Sequence, residues 1–259
     1  MTSDTRLAQD PSLPRSRAFL FGESVFTTLR VENGDVYFAN RHLQRLKESA
    51  EWLWPGTVGQ IDELWSNLKP PGKNGVWRLT LFAMQIDRKM RVEEIPHLEI
   101  DSSWSEGLPM SASFVAKTVK APARAKDWPA FLKSGDYLAR LVAARHLAKT
   151  EIPLYLVNDE VCEFLHANLF VWKDNQFLTP PTGPDVLAGL GRERLIEVAT
   201  QLGIACVEKV LSVNDLKAAQ SVWAVNAVRG IVEVEAIDAK IVAGHALKES
   251  LQRKFFSRT

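Results

Sequence analysis

The chain has little cysteine, no excess of either charge and no long apolar run. Of its 259 residues only Cys162 and Cys206 are cysteine. Neither lies in a CxxC or Cys/His spacing, which argues against a disulfide framework and against a zinc site, so two buried free thiols and no metal are expected. Lysine and arginine number 32 against 31 aspartates and glutamates. That balance gives no electrostatic case for nucleic acid or an acidic surface as partner, and a small molecule is the better expectation. No segment reaches the length of apolar sequence that spans a bilayer. The opening MTSDTRLAQDPSLPRSR mixes charges, prolines and polar residues without the apolar stretch of a signal peptide. These absences predict a soluble, cytoplasmic protein without membrane attachment. Internal repeats and low-complexity tracts are also lacking.

What is present reads as an α+β chain. FLFGESVFTTLRVENGDVYFAN alternates aromatic and β-branched residues around Asn33-Gly34, a strong hairpin signal. RHLQRLKESAEWLW follows with apolar residues Leu43, Leu46, Ala50 and Leu53 at helical spacing, stopped by Pro55-Gly56. A second helix is predicted over about Val58 to Leu68 and a buried strand over Gly75 to Met84. VKAPARAKDWP, from Val119 to Pro129, shows neither hydrophobic period and reads as an exposed connection. The expected division is a small N-terminal domain over 1–118, a linker over 119–129 and a C-terminal domain over 130–259. The second half is strand-rich: IPLYLV, a turn at Asn158-Asp159, then NLFVWK and QFLTP around Asp174-Asn175. GLGRERLIEVATQLG resumes helical spacing and ends at Gly203, where a C′ glycine belongs.

Chemistry enters through FLKSGDYLARLVAARHL, Phe131 to Leu147, where Lys133 stands at the predicted mouth of a helix. A lysine is ordinarily a solvated surface charge. Downstream, however, Glu163 interrupts the apolar run VCEFLHANLF, and Gly189-Leu190-Gly191 leads straight into a helix. The free N–H groups of such a helix start, with glycines allowing close approach, suit a phosphate. In order along the chain stand Lys133-Ser-Gly-Asp136, Glu163 to Asn168-Leu169-Phe170, Thr179-Pro180-Pro181 and Gly189-Leu190-Gly191-Arg192. Earlier come Phe21-Gly22-x-x-Val25-Phe26-x-Thr28-Leu29-Arg30 and His42-Leu43-x-Arg45-Leu46, and later Asn226-Ala227-Val228-Arg229-Gly230-Ile231.

This ordered set, over about Phe19 to Val234, resembles the fold-type IV pyridoxal-phosphate enzymes, also called class IV aminotransferases. The resemblance implies a two-domain, D-amino-acid-aminotransferase-like fold, pyridoxal 5′-phosphate as cofactor, and a homodimer. It makes Lys133 the covalent anchor, whose amine must be neutral to attack the cofactor aldehyde and so needs a lowered pKa. Glu163 would keep the pyridine nitrogen protonated. Arg45, the backbone N–H groups of Leu190 and Gly191, and the turn at Asn226 and Ala227 would hold the phosphate. Relatives usually offer a hydroxyl at the position of Ala227.

Within the family the chain looks like a lyase that converts 4-amino-4-deoxychorismate to 4-aminobenzoate and pyruvate. The short chain, the Phe26-Thr27-Thr28-x-Arg30-Val31 hairpin with Thr28 as catalytic hydroxyl, and Arg145-His146-Leu147 at lyase-like distance from Lys133 carry that likeness. Many such lyases have Arg-Gly-x-Gly-x-Arg-Gly-Tyr where this chain has Met84 to Arg91; Arg88, Lys89 or Arg91 are the candidate substitutes for substrate carboxylate binding. An aminotransferase of a branched-chain or D-amino acid is the alternative, and a non-catalytic cofactor-binding protein of the same fold is a second.

Overall fold

Four two-residue turns with positive φ at both positions fold the chain back on itself: Asn33-Gly34, Asn158-Asp159, Asp174-Asn175 and Asp238-Ala239. That backbone twist matches the twist of paired strands, so each turn closes a tight antiparallel hairpin. The computed structural model describes residues 16–84, 95–108 and 113–257. Its first part runs α1 (Arg17–Phe21), β1 (Ser24–Glu32), β2 (Asp35–Val36), α2 (Ala39–Leu53), α3 (Val58–Asn67), β3 (Gly75–Ala83) and β4 (Leu98–Glu106). The remainder runs β5 (Phe114–Lys120), α4 (Leu138–Ala144), β6 (Glu151–Val157), β7 (Glu160–Phe164), β8 (Ala167–Lys173), β9 (Gln176–Thr179) and α5 (Leu190–Gln201). It ends with β10 (Cys206–Glu208), α6 (Val213–Lys217), β11 (Ser221–Asn226), β12 (Gly230–Ile237), β13 (Lys240–Ile241) and α7 (Leu247–Phe255).

The strands form two sheets. The smaller is antiparallel with order β2-β1-β3-β4. In the larger, β8, β11, β12, β5, β6 and β7 pair in turn and β7 returns to β8, so these strands close into a ring that β9 and β10 extend. Helix α2 lays Leu46 and Ala50 on Val25 and Leu81 of the small sheet. On the large sheet, Leu195 and Val198 of α5 and Leu251 and Phe255 of α7 meet Phe170, Trp223 and Ile231. Each such side chain contributes about 1.5–3 kcal/mol by leaving water. The buried Arg194 ties α5 to the end of α7 by donating to the carbonyls of Phe255 (3.0 Å) and Lys254 (2.9 Å), which the last helical turn leaves open.

Three features differ from the sequence reading. Phe19 to Phe21, read there as part of the hairpin, form the end of α1, which Gly22 stops in the left-handed region at φ 69°. The segment around Lys133 is extended: Ser134 bridges Val25, the Phe26 N–H donates to the Lys133 carbonyl, and helix begins only at Leu138. Pairing with the start of β1 satisfies these backbone groups, so a helix from Phe131 has nothing to gain. Finally, β5 pairs with β12 and β6, so the expected boundary at 118 falls inside a strand of the large sheet. Cys162 is buried and Cys206 half-buried, both free. Among the described residues no helix is long and apolar enough to cross a membrane.

Candidate active site

A cavity of about 730 Å³ opens between the two sheets, and Lys133, Thr28, Glu163, Arg45, Leu190, Gly191, Asn226 and Ala227 all line it. The sequence places these residues on six separate stretches of chain; the fold gathers them on one surface. Lys133 owes its position to the short pairing with β1. Its ammonium nitrogen lies 3.2 Å from the Tyr137 hydroxyl and 4.6 Å from the centre of the Phe26 ring. Burial pulls its pKa down to about 7, and the positive charges of Arg45, Arg78 and Arg124 add to the effect against the opposing pull of Glu163. A large fraction of the amine is then neutral near pH 7, the form that acts as nucleophile or base. Burial likewise pushes the Tyr137 hydroxyl up to about 12, so Tyr137 stays a neutral hydrogen-bonding group beside it.

Glu163 sits at the end of β7, where the strand turns into β8. Its Oε2 accepts from the Leu187 N–H (2.9 Å) and from Asn168 Nδ2 (3.3 Å). Asn168 in turn donates to the Leu187 carbonyl at 2.8 Å. This brace fixes the carboxylate in the cavity wall. Burial raises its pKa while the Leu187 N–H and the charges of Arg124 and Lys133 oppose that rise. A carboxylate so placed strengthens any protonated nitrogen that meets it.

The adjoining part of the large-sheet wall is built from backbone. α5 presents the first-turn N–H groups of Leu190 and Gly191, which have no intrahelical acceptor. A Cβ on Gly191 would come within 2.8 Å of the Ala227 nitrogen, closer than real Cβ contacts, so glycine lets α5 press against the 226–230 turn. That turn is held by Asn226, whose Oδ1 accepts from the N–H groups of Val228 (3.0 Å) and Arg229 (2.8 Å), while its Nδ2 donates to the His166 carbonyl (3.1 Å). The Asn226 amide is thus occupied in shaping the turn, and the turn's backbone faces the cavity. Arg45 reaches in from α2. It is buried, its Nε has no partner, and its pKa is lowered to about 10 by burial. A buried guanidinium with an unused donor fits an anion.

The small sheet supplies the third wall, and here the sequence reading was incomplete. Thr28 of β1 stands directly opposite Arg78 of β3, so their side chains share a face. The Arg78 guanidinium lies 3.5 Å over the centre of the Phe26 ring and also lines the cavity. Its pKa is lowered, chiefly by burial. His166, from the turn between β7 and β8, and Arg229, from the turn between β11 and β12, also line the cavity; burial and the charges of Lys133, Arg78 and Arg229 hold His166 at about 4, so it is neutral. Strand alternation on β1 and β3 could have flagged Arg78, since it shares the parity of Val76 on a strand facing Phe26 and Thr28. Arg88, Lys89 and Arg91 lie outside the described residues.

A near-neutral lysine, a braced carboxylate and a helix start suited to an anion surround one cavity, a set that fits a pyridoxal-phosphate enzyme. Comparison gives the same class. The profile of the class IV aminotransferases matches residues 24–237. A branched-chain-amino-acid aminotransferase of Salmonella typhimurium is 30% identical over 247 residues, spanning 86% of this chain and 79% of that protein. Among solved structures, a hypothetical aminotransferase of Mycobacterium tuberculosis in its PLP-bound form superposes with a TM-score of 0.77 at 22% identity, covering 95% of this chain and 93% of that one. A 4-amino-4-deoxychorismate lyase of Pseudomonas aeruginosa superposes with a TM-score of 0.75 at 22% identity, covering 93% and 92%. The chain belongs to the class IV aminotransferase family, with its α+β fold of type IV and pyridoxal 5′-phosphate as cofactor.

Proposed function

We propose that this enzyme is a lyase that converts 4-amino-4-deoxychorismate to 4-aminobenzoate and pyruvate. The observation that carries the reading is the small-sheet wall, where Thr28 and Arg78 sit opposite each other and Arg78, like Lys133, approaches the Phe26 ring. A branched-chain side chain gains nothing from a cationic, hydroxyl-bearing wall, whereas 4-amino-4-deoxychorismate carries two carboxylates. Arg78 takes the place left open by the missing glycine-rich arginine segment.

The residues fit the cofactor by the unpaired buried donor of Arg45 and the close approach at Gly191. Lys133 would anchor it, Glu163 would meet its pyridine nitrogen, and Arg45, Leu190, Gly191 and the turn at Asn226 and Ala227 would hold its phosphate. Ala227 brings no hydroxyl to that cup, so the turn contributes through its backbone. When bound, pyridoxal phosphate supplies an electron sink for the charge left at the substrate carbon. Lys133, as a free amine, removes the proton from the ring carbon that bears the amino group. The Thr28 hydroxyl hydrogen-bonds the reacting nitrogen and orients it. Arg78 binds a substrate carboxylate and keeps the departing side chain in line. Lys133 then returns the proton to the leaving enol, giving pyruvate, while the ring becomes aromatic. No second substrate is consumed.

A second reading, an aminotransferase of a branched-chain amino acid, is favoured by the 30% identical Salmonella typhimurium relative. It uses the same lysine but needs a 2-oxo acid to complete each cycle. Supplied with 4-amino-4-deoxychorismate alone, the lyase releases pyruvate and 4-aminobenzoate in equal amounts over many turnovers. Turnover of a branched-chain amino acid that stops after one equivalent and resumes only with 2-oxoglutarate gives the aminotransferase. A protein that takes up cofactor and does neither is the non-catalytic relative. The proposed working form is a cytoplasmic homodimer; exposed Phe19, Phe21, Leu138 and Leu141 on α1 and α4 support a buried interface there. Light scattering that found an active monomer would exclude it.

A further inference from the structure

Beneath the small sheet, on the side of β1 away from the cavity, Thr27 is fully buried among apolar neighbours. Val25, Leu29 and Val31 share its parity and belong to the core. A hydroxyl in that row requires partners. It has two, both on α2: Arg45 Nη2 donates to Thr27 Oγ1 at 2.6 Å, and Thr27 Oγ1 lies 2.6 Å from His42 Nδ1. His42 and Arg45 are three residues apart and therefore share a helix face.

The donor inventory fixes the direction of the bond from Arg45. A guanidinium can only donate. The Thr27 hydroxyl keeps its own proton and a second lone pair, so it pairs with His42 Nδ1 in either tautomer of the neutral ring. The other ring nitrogen, Nε2, is buried and without a partner. Burial first, then the charges of Arg45 and Lys133, hold the His42 pKa well below its ordinary value, which favours the neutral ring. No other hydrogen bond to the Arg45 side chain occurs among the described residues. The long side chain is thus held at one Nη, and its remaining donors are left for the cavity.

We propose that Thr27 and His42 are positioning residues that preset the Arg45 guanidinium for the cofactor phosphate. The inference rests on the reading of Arg45 as the phosphate ligand. Thr27 touches neither cavity nor cofactor and acts only through Arg45. An unheld arginine would have to be ordered at the moment of binding, so loss of the brace weakens phosphate recognition and leaves the rest of the cofactor site intact.

The test compares the affinity of the apo-protein for pyridoxal 5′-phosphate and for pyridoxal, which lacks the phosphate, by visible-absorption titration. Loss of one charge-assisted hydrogen bond predicts that Thr27→Val lowers the preference for the phosphorylated compound by roughly tenfold, with pyridoxal affinity unchanged. Thr27→Ser, which keeps the hydroxyl, should restore the preference. His42→Phe, which keeps an aromatic ring but offers no hydrogen-bonding nitrogen, should give a smaller loss and serves if Thr27→Val fails to fold. Arg45→Gln is the reference and should abolish most of the preference. Equal losses for both compounds in Thr27→Val, or an unchanged preference there while Arg45→Gln loses it, would overturn the positioning role alone. An unchanged preference in Arg45→Gln would overturn both the role and the phosphate reading.

Discussion

The two ends of the cavity are made from different materials. At the large-sheet end, backbone and fully braced side chains do the shaping: helix α5 pressed on the 226–230 turn, the Asn226 amide spent on that turn, and Glu163 pinned by Leu187 and Asn168. At the small-sheet end, Thr28, Arg78 and Phe26 line the cavity from two paired strands. Backbone geometry changes little when a side chain is replaced, whereas a strand face is rewritten by single substitutions. The first end therefore suits a fixed ligand common to a family, and the second suits the part of the reaction that varies.

Substitutions at the two ends should separate in kind as well as in size. Glu163→Gln at the braced end is expected to leave the protein folded and cofactor-loaded yet slow turnover by about 100-fold or more, each factor of ten being about 1.4 kcal/mol of transition-state stabilisation. Unchanged turnover would move the proton-holding carboxylate elsewhere. At the strand wall, Arg78→Gln should raise KM for 4-amino-4-deoxychorismate by roughly tenfold to a hundredfold, the loss of a hydrogen bond to a charged group, with the cofactor absorbance unaltered. A fall in cofactor affinity instead would join the two ends into one unit.

Lys133 stands between the ends and offers the smallest effect. Its pKa of about 7 is lowered by burial and then by Arg45. Below that value the ammonium form dominates, so the rate at which the apo-protein takes up pyridoxal phosphate should climb about tenfold per pH unit and level off above pH 7. Removing a positive neighbour favours the charged form, so Arg45→Gln should move the break to higher pH. A break that stayed put would show burial alone to be responsible.

The braced end was also the more legible in sequence. Lys133, Glu163, the Gly189 to Arg192 helix start and the Asn226 turn lie in local patterns whose order survives along the chain. Asn33-Gly34, Asn158-Asp159 and Asp174-Asn175 announced hairpins because their turns demand positive φ. The strand wall was not legible in the same way: Arg78 lies inside GVWRLTLFAM, which reads as a buried strand, and only the register with β1 sets it opposite Thr28. Lys133 read as the mouth of a helix because nothing local reveals the pairing of its neighbour Ser134 with Val25, more than a hundred residues earlier. Nor did Thr27 stand apart from Thr28 until β1 had two faces, one on the cavity and one on α2.

The central claim is that one lysine among those of this chain anchors the cofactor in this cavity. Borohydride treatment of the cofactor-loaded protein, followed by proteolysis and peptide mass mapping, tests it directly. The reduced cofactor is expected on the peptide that contains Lys133. Its recovery on Lys149 or Lys173 would contradict the assignment of the cavity and, with it, the roles given to both ends.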